Sequence, residues 1–207
     1  MILCTFAVMT IDTYKTINGI SEGLYKEKGS KFLAFAHPVN TVDEVKPILD
    51  VYRKMYYDAR HVCYAYCIGA EGEEYRVNDD GEPSGTAGKP IFGQIQSFGL
   101  TNVLVVVIRY FGGILLGTGG LVVAYKAAAA EALAGAEIIE KTVDTDFQFR
   151  FEFPFMNDVM RIVKNMDAHI VSQSYEMDCF MQLRIRKNEA TRLETALNKV
   201  ETLIFIE

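Results

Sequence analysis

Glycines, acidic residues and a few cations are concentrated in two short stretches, and these are the residues of the sequence that offer chemistry. DDGEPSGTAGKP covers residues 79–90 and RYFGGILLGTGG covers residues 109–120; each lies between a strand-like and a helix-like segment. The first N–H groups of a helix have no intrahelical partner and carry partial positive charge, so they attract anions. Glycine lets a phosphate or carboxylate touch these amides, because it has no β-carbon. Residues 117–120 therefore resemble an anion cradle.

The glycines at 117–120 have a second interpretation that the residues alone leave open. They permit left-handed turns and close packing of the following Ala-rich helix on a sheet, in which case Gly119→Ala destabilises the fold. The nearby cations have two interpretations as well. Arg109 and Lys89 either supplement the backbone donors or pair internally with the acidic residues of 79–82.

Several enzyme classes are excluded by the motifs. No Gly-Lys-Ser/Thr follows the glycines, so the stretch is not a P-loop, and its spacing is not that of the dinucleotide fingerprint. A catalytic triad from His61, Ser84 and Thr86 has no support, because no Gly-x-Ser-x-Gly elbow is present. The acidic residues of 79–82 lack a matching cluster for a hard cation. We therefore predict no catalytic residue, metal or cofactor.

The composition is that of a globular protein without a strong overall field for polyanions. Half of the 207 residues are hydrophobic and the formal net charge is −6, so any nucleic-acid contact needs a local patch. No apolar run approaches the ~20 residues of a membrane span, and the four widely spaced cysteines are typical of free thiols. We expect a cytoplasmic protein with no membrane partner. Residues 1–8, upstream of Met9, are predicted to be a loose tail or an upstream-start artefact.

Strand and helix patterns alternate through the first two thirds of the chain. VLVVVI is apolar at every position, which predicts a strand covered on both faces, and alternation places Cys63 and Cys67 on one face of another strand. Thr41 and Glu44 form a predicted capping box. The strand-like segments are KFLAFAHPV, HVCYAYCIG, EEYRVND and VLVVVI, and the helix-like segments are 42–55, the region near KPIFGQIQSFG, and LVVAYKAAAAEALAGA.

After Ala136 the pattern becomes strand, helix, strand, strand, helix, strand, the order of a ferredoxin-like βαββαβ unit. Alternation directs the phenylalanines at 147, 149, 151 and 153 toward the helices. In the usual strand order, the first and third strands are central neighbours. Their outward side chains then form a small polar surface, a secondary candidate for RNA contact: Gln148, Arg150, Gln182 and Arg184.

Three longer strings resemble the bacterial YigZ branch of the IMPACT family: ARHVCYAYCIG, NDDGEPSGTAGKPIFGQI and VIRYFGGILLGTGGLVVAY. The resemblance implies an α+β protein of two domains. Residues 1–138 would form a βαβ domain similar to domain 2 of a small-subunit ribosomal protein, which is also found in elongation factor G and in GHMP kinases. Residues 139–207 would form the ferredoxin-like domain, in agreement with the order of its predicted elements.

The resemblance also implies a function in translation, with RNA, the ribosome or a translation factor as partner. We expect a binding protein that holds an anionic group in a cleft of the N-terminal domain. The alternative is an enzyme acting on a small phosphorylated metabolite or nucleotide, because LLGTGGL is similar to the phosphate loop of GHMP kinases. His61 is expected to line the cleft, and the matching strings supply its other residues: Asp79, Asp80, Glu82, Ser84, Thr86, Lys89, Arg109, Tyr110, Gly112, Gly113, Gly117, Gly119 and Gly120.

Overall fold

A computed structural model describes residues 12–206 of the chain. Residues 13–141 form one compact unit, and residues 142–206, together with Asp12, form the other. The sequence predicts a boundary after residue 138, and the contacts divide the chain after Lys141. The predicted tail of residues 1–8 lies outside the described residues. None of the helices within residues 12–206 is long and apolar enough to cross a membrane.

The N-terminal unit is built on a five-stranded antiparallel sheet of order β2-β3-β6-β4-β5, and β1 pairs with β7 in a separate two-stranded sheet. Its helices are α1 (Val45–Met55), α2 (Gly88–Ser97) and α3 (Gly117–Ala134). Its strands are β1 (Thr13–Ile17), β2 (Ser21–Glu27), β3 (Ser30–Pro38), β4 (His61–Ile68), β5 (Glu74–Asn78), β6 (Val103–Tyr110) and β7 (Ile138–Thr142).

The central strand β6 is covered on both faces, as its apolar sequence predicts. Val103, Val105 and Val107 face a core that includes residues of α2 and α3, whereas Leu104 and Val106 face a second core that includes residues of α1. The neighbours of β6 are antiparallel, so two-sided burial here does not depend on a parallel sheet. Cys63 and Cys67 both belong to the first core, as alternation predicts, and both are free and buried thiols.

The predicted capping box before α1 is not formed as expected. Residues Val42–Glu44 make a short 3₁₀ turn, and α1 begins at Val45. The Glu44 carboxylate accepts the backbone N–H of Asn40 at 3.1 Å and the Thr41 hydroxyl at 3.4 Å, and the Thr41 side chain caps no backbone N–H. The glutamate therefore closes the turn one residue earlier than a capping box requires.

Helix α3 packs unusually close to the sheet, and the glycine that permits this lies in β2. A β-carbon on Gly23 would lie 2.4 Å from the backbone nitrogen of Ala132 and 2.9 Å from the carbonyl oxygen of Ala128. The small alanines of α3 supply the other half of this contact, and both are fully buried. Close helix-on-sheet packing is thus real, but residues 117–120 are not its cause.

The C-terminal unit has the predicted ferredoxin-like arrangement. Its antiparallel sheet has the order β11-β8-β10-β9, so the first and third strands of the unit are central neighbours. Phe149 and Phe151 are buried, but Phe153 is 69% exposed, because β8 ends before the 3₁₀ turn Phe153–Phe155 that contains Pro154. The elements are β8 (Asp144–Phe151), α4 (Met156–Asn165), β9 (His169–Tyr175), β10 (Cys179–Arg186), α5 (Lys187–Leu197) and β11 (Ile204–Phe205).

Candidate functional site

A pocket of about 370 Å³ opens beside the start of α3 in the N-terminal unit. It lies at one end of the interior strands β4 and β6, because β4 begins and β6 ends there: His61 and Arg109 are directly paired across the two antiparallel strands. Both glycine-rich stretches contribute to its walls. The lining residues are Arg60, His61, Gly81, Glu82, Pro83, Arg109, Phe111, Leu115, Leu116, Gly117, Thr118 and Leu121.

A buried ion pair lies in the wall of this pocket. Glu82 is 8% exposed and Arg109 is 5% exposed, and Nη1 of Arg109 donates to Oε1 of Glu82 at 2.5 Å. The hydroxyl of Tyr125, in α3, donates to the same oxygen at 2.8 Å. The internal pairing that the sequence leaves open for Arg109 is therefore formed with Glu82. Nε of Arg109 is buried and has no hydrogen-bond partner among the described residues.

Arg60 supplies the uncompensated positive charge of the pocket. Its guanidinium lies 5.9 Å from the ring centroid of Phe111, and its backbone N–H donates to the carbonyl of Arg109 at 3.2 Å. It is exposed and forms no ion pair within residues 12–206. The charges of the two arginines and Glu82 sum to +1. Lys89, which the sequence analysis places here, does not line the pocket; it is exposed in the first turn of α2.

His61 lines the pocket, and each of its ring nitrogens lies near an oxygen atom of the acidic loop. Its Nδ1 lies 2.7 Å from the backbone carbonyl oxygen of Asp80, an acceptor, so Nδ1 carries the proton and donates. In the neutral ring, Nε2 is then an acceptor. Nε2 lies 3.8 Å from Oε1 of Glu82. The neutral form of His61 thus adds a hydrogen-bond acceptor to a pocket that two arginines line.

The start of α3 is open in the way the anion cradle requires. Gly117 has a φ of +70°, and the N-cap residue Leu116 provides no side-chain cap for the first N–H groups. Gly117, Thr118 and Gly119 are exposed, and a β-carbon on Gly119 would meet no atom within 4 Å. Gly117 and Thr118 line the pocket directly. Unpaired helix amides and two guanidinium groups therefore contribute to the same cavity.

Most of the acidic loop at 79–87 positions Glu82 and does not face the pocket. The carboxylate of Asp79 accepts the backbone N–H groups of Gly85, Ala87 and Gly88 at 2.8 to 3.0 Å. Burial alone would raise the pKa of Asp79, but these three donors outweigh it and lower that pKa. Asp80 accepts the N–H of Val62 at 2.7 Å.

The remaining predicted residues also lie away from the pocket lining. The Tyr110 hydroxyl donates to Asp58 at 2.8 Å, and this bond is the main cause that raises the pKa of Tyr110 to about 12. The Thr86 hydroxyl donates to the carbonyl of Pro83 at 2.7 Å, and Ser84 is exposed. Three predicted glycines also do not line the pocket. Gly112 packs against the backbone of Gly29, Gly113 has a φ of +86°, and Gly120 lies close to Leu116.

The predicted polar surface of the C-terminal sheet is largely neutralised. Gln148 and Gln182 are direct cross-strand partners, as expected. Arg184, however, forms two hydrogen bonds with Asp146, at 2.7 and 2.9 Å, and these lower the pKa of that carboxyl group. Of the two arginines in the predicted set, only Arg150 is free of an ion pair within the described residues.

Sequence reasoning missed Tyr125, whose hydroxyl donates to Glu82, and seven lining residues: Arg60, Gly81, Pro83, Phe111, Leu115, Leu116 and Leu121. Arg60 and Phe111 directly adjoin His61 and Tyr110, so the antiparallel pairing of their strands would have identified them. Leu115 lies inside the quoted glycine stretch, but its aliphatic side chain offers no chemical signal. Tyr125 lies 43 positions from Glu82, and only the packing of α3 brings its hydroxyl there.

Metal binding receives no support from side-chain geometry. Within residues 12–206, no group of three or more histidine, cysteine, aspartate or glutamate side chains is arranged to hold a metal ion.

Comparison with known proteins matches residues 28–133 to the Impact N-terminal domain. An Escherichia coli (strain K12) protein named IMPACT family member YigZ is 35% identical over 160 residues, which cover 76% of this chain and 78% of that protein. IMPACT family member YvyE of Bacillus subtilis (strain 168) is 28% identical over 197 residues, 95% and 85% of the two chains. A crystal structure described as a hypothetical protein is 28% identical, has a TM-score of 0.72, and covers 95% of this chain and 98% of its own.

Proposed function

This chain belongs to the IMPACT family, and from that premise we propose that it is a binding protein of the translation machinery. Its N-terminal pocket takes an anionic group of RNA, of the ribosome or of a translation factor. The observation that carries the proposal is the convergence of open amides at Gly117 and Thr118 with Arg60 and Arg109 in one cavity. The family resemblance supplies the context of translation.

The electrostatics of the pocket favour a single anionic group held with modest affinity. Glu82 compensates Arg109, so the attraction comes from Arg60 and the start of α3. A helix N-terminus typically stabilises a nearby anion by about 0.3–1 kcal/mol. The overall charge of −6 opposes the approach of a polyanion, which keeps the affinity modest. Salt screens the local attraction between the anion and Arg60, so binding is expected to weaken as salt rises.

The experiment that tests the proposal is co-sedimentation with purified ribosomal subunits at low salt. Arg60→Ala removes the unpaired cation, and we expect affinity to fall about tenfold, the value of one charge-assisted hydrogen bond. Arg161→Ala is the matched control, because Arg161 is an exposed arginine of the C-terminal unit that pairs with Asp158. Equal binding by the parent and by Arg60→Ala would count against the pocket as the binding surface.

The shape of the pocket gives specific support to one alternative, a small phosphorylated metabolite or nucleotide as ligand. Its volume lies within the range of small-molecule sites, about 300–1,000 Å³, and Phe111, Leu115 and Leu121 supply apolar walls. Thermal-shift measurements with ATP and magnesium test this directly. A rise of several degrees in Tm would favour the metabolite, and an unchanged Tm would favour the macromolecular partner.

A further inference from the structure

We propose that the anionic group that enters the pocket is the C-terminal carboxylate of a partner protein whose last side chain is apolar. The proposal rests on the function proposed above and names the ligand of the same pocket. It follows from three properties of the cavity: donors beside an apolar wall, an acceptor beside the donors, and exposed aliphatic residues at the rim.

The first property is the close association of N–H donors with apolar surface. Gly117 and Thr118 at the start of α3 and Arg60 line the same cavity as Leu115, Leu116 and Leu121. A C-terminal residue presents its carboxylate and its side chain from one Cα atom. It can therefore occupy both kinds of surface at once, whereas phosphate alone uses only the donors.

The second property is the presence of an acceptor. Nε2 of His61 is an acceptor in the neutral ring, because Nδ1 donates to the carbonyl of Asp80. A phosphodiester has no N–H group to offer this nitrogen. A peptide does, since the backbone N–H of its last residue lies next to the carboxylate. The carboxylate itself is expected beside Arg60 and the start of α3, because the guanidinium of Arg109 is already paired with Glu82.

The third property argues for a protein partner over RNA. Leu115 is 83% exposed, and Phe111 and Ile114 are exposed beside it. Proteins bind single-stranded RNA largely by stacking bases on aromatic side chains. The ring of Phe111 already contacts the guanidinium groups of Arg60 and Arg109, and the exposed large apolar residues beside it, Ile114 and Leu115, are aliphatic. Such a rim matches apolar side chains better than nucleotide bases.

The test is an amide NMR titration of the full chain with matched peptides. The probes are acetyl-Gly-Gly-Leu as the free acid, the same peptide as the C-terminal amide, and acetyl-Gly-Gly-Gly as the free acid. The leucine acid should shift the Thr118 and Gly119 resonances saturably. The leucine amide and the glycine acid should bind at least tenfold more weakly, because each lacks one of the two recognised groups.

Two variants localise the effect without disturbing the buried ion pair. Leu115→Ser changes an exposed side chain and should weaken binding of the leucine acid severalfold while leaving binding of inorganic phosphate unchanged. Arg60→Ala should weaken both. Equal affinity of the leucine acid and its amide overturns the inference.

Two further probes, oligouridylate and inorganic phosphate, test the anion site without testing recognition of a C-terminal carboxylate. If they shift Thr118 and Gly119 while the leucine acid does not, the inference is wrong and the anion site stands. If none of these probes shifts the two resonances, both the inference and the anion site fail.

Discussion

Glu82 is the side chain that organises the pocket, because it accepts hydrogen bonds from Arg109 and Tyr125 through one carboxylate oxygen. A buried ion pair contributes little net stability compared with apolar residues of similar volume, but removing one partner leaves the other charge buried and unpaired. The pair is thus better understood as a device that fixes the position of the Arg109 guanidinium.

Glu82→Gln is expected to lower the free energy of unfolding by about 3 kcal/mol, because the guanidinium of Arg109 loses its buried counter-charge. Urea unfolding of the full chain provides the measurement. Tyr125→Phe is the control, since it removes a second donor to the same oxygen without unpairing a charge and should cost less, about 1.5 kcal/mol. Similar losses in the two variants would show that the ion pair has no special role.

Asp79→Asn should destabilise the protein by about 2 kcal/mol at neutral pH, because one of its two acceptor oxygens becomes an amide that faces the N–H of Gly85. The pKa of Asp79 is lowered in the folded state, so its contribution is complete above the unfolded value and is lost as pH falls. The difference between parent and variant should therefore shrink below about pH 3.9. Urea midpoints measured on both sides of that pH decide the question; a constant difference would contradict the assignment.

At the scale of elements, the structure separates two roles that the glycine-rich sequence combines. Close backbone packing requires glycine at Gly23, Gly88 and Gly112, where a β-carbon would lie 2.4, 2.6 and 1.9 Å from backbone atoms. At Gly119 a β-carbon would meet nothing within 4 Å. The packing interpretation of residues 117–120 expects Gly119→Ala to destabilise the fold, and the open space at that position argues the opposite.

Gly23→Ala should therefore lower stability by more than about 2 kcal/mol, because α3 must move away from β2. Gly119→Ala should leave stability within about 0.5 kcal/mol or raise it slightly, since alanine has the higher helix propensity. Thermal unfolding of the two single variants supplies the comparison. A larger loss of stability for Gly119→Ala than for Gly23→Ala would support the packing interpretation of residues 117–120.

Local patterns predicted the elements well and the contacts between them poorly. The apolar run of β6, the alternation of Cys63 and Cys67, and the order of the C-terminal elements all follow from periodicity. The bond from Tyr125 to Glu82 does not, because it depends on how α3 crosses the sheet. Alternation along β8 places Asp146 on the same face as Gln148 and Arg150, opposite Arg184 of β10. Including Asp146 in the predicted surface would therefore have predicted its ion pair with Arg184.

For the whole molecule, the distribution of charge limits what can bind. The net charge of the chain is −6, whereas the charges of Arg60, Arg109 and Glu82 in the pocket sum to +1. Binding through such a site should depend only weakly on salt.

We expect a plot of the logarithm of the affinity for ribosomal subunits against the logarithm of salt concentration to have a slope of about −1. This is the slope for a single contact between a cation and a phosphate. Co-sedimentation between about 50 and about 200 mM salt measures this slope. A slope of about −4 or steeper would place the binding surface on several basic residues outside the pocket.

The central claim is that the amides at the start of α3 and the guanidinium of Arg60 hold an anion together. A crystal structure of the full chain soaked in selenate, a phosphate mimic with anomalous signal, tests it most directly. The account predicts an anomalous peak within hydrogen-bonding distance of the backbone nitrogens of Thr118 or Gly119 and of the Arg60 side chain. A well-ordered pocket without a peak at a saturating selenate concentration would contradict it.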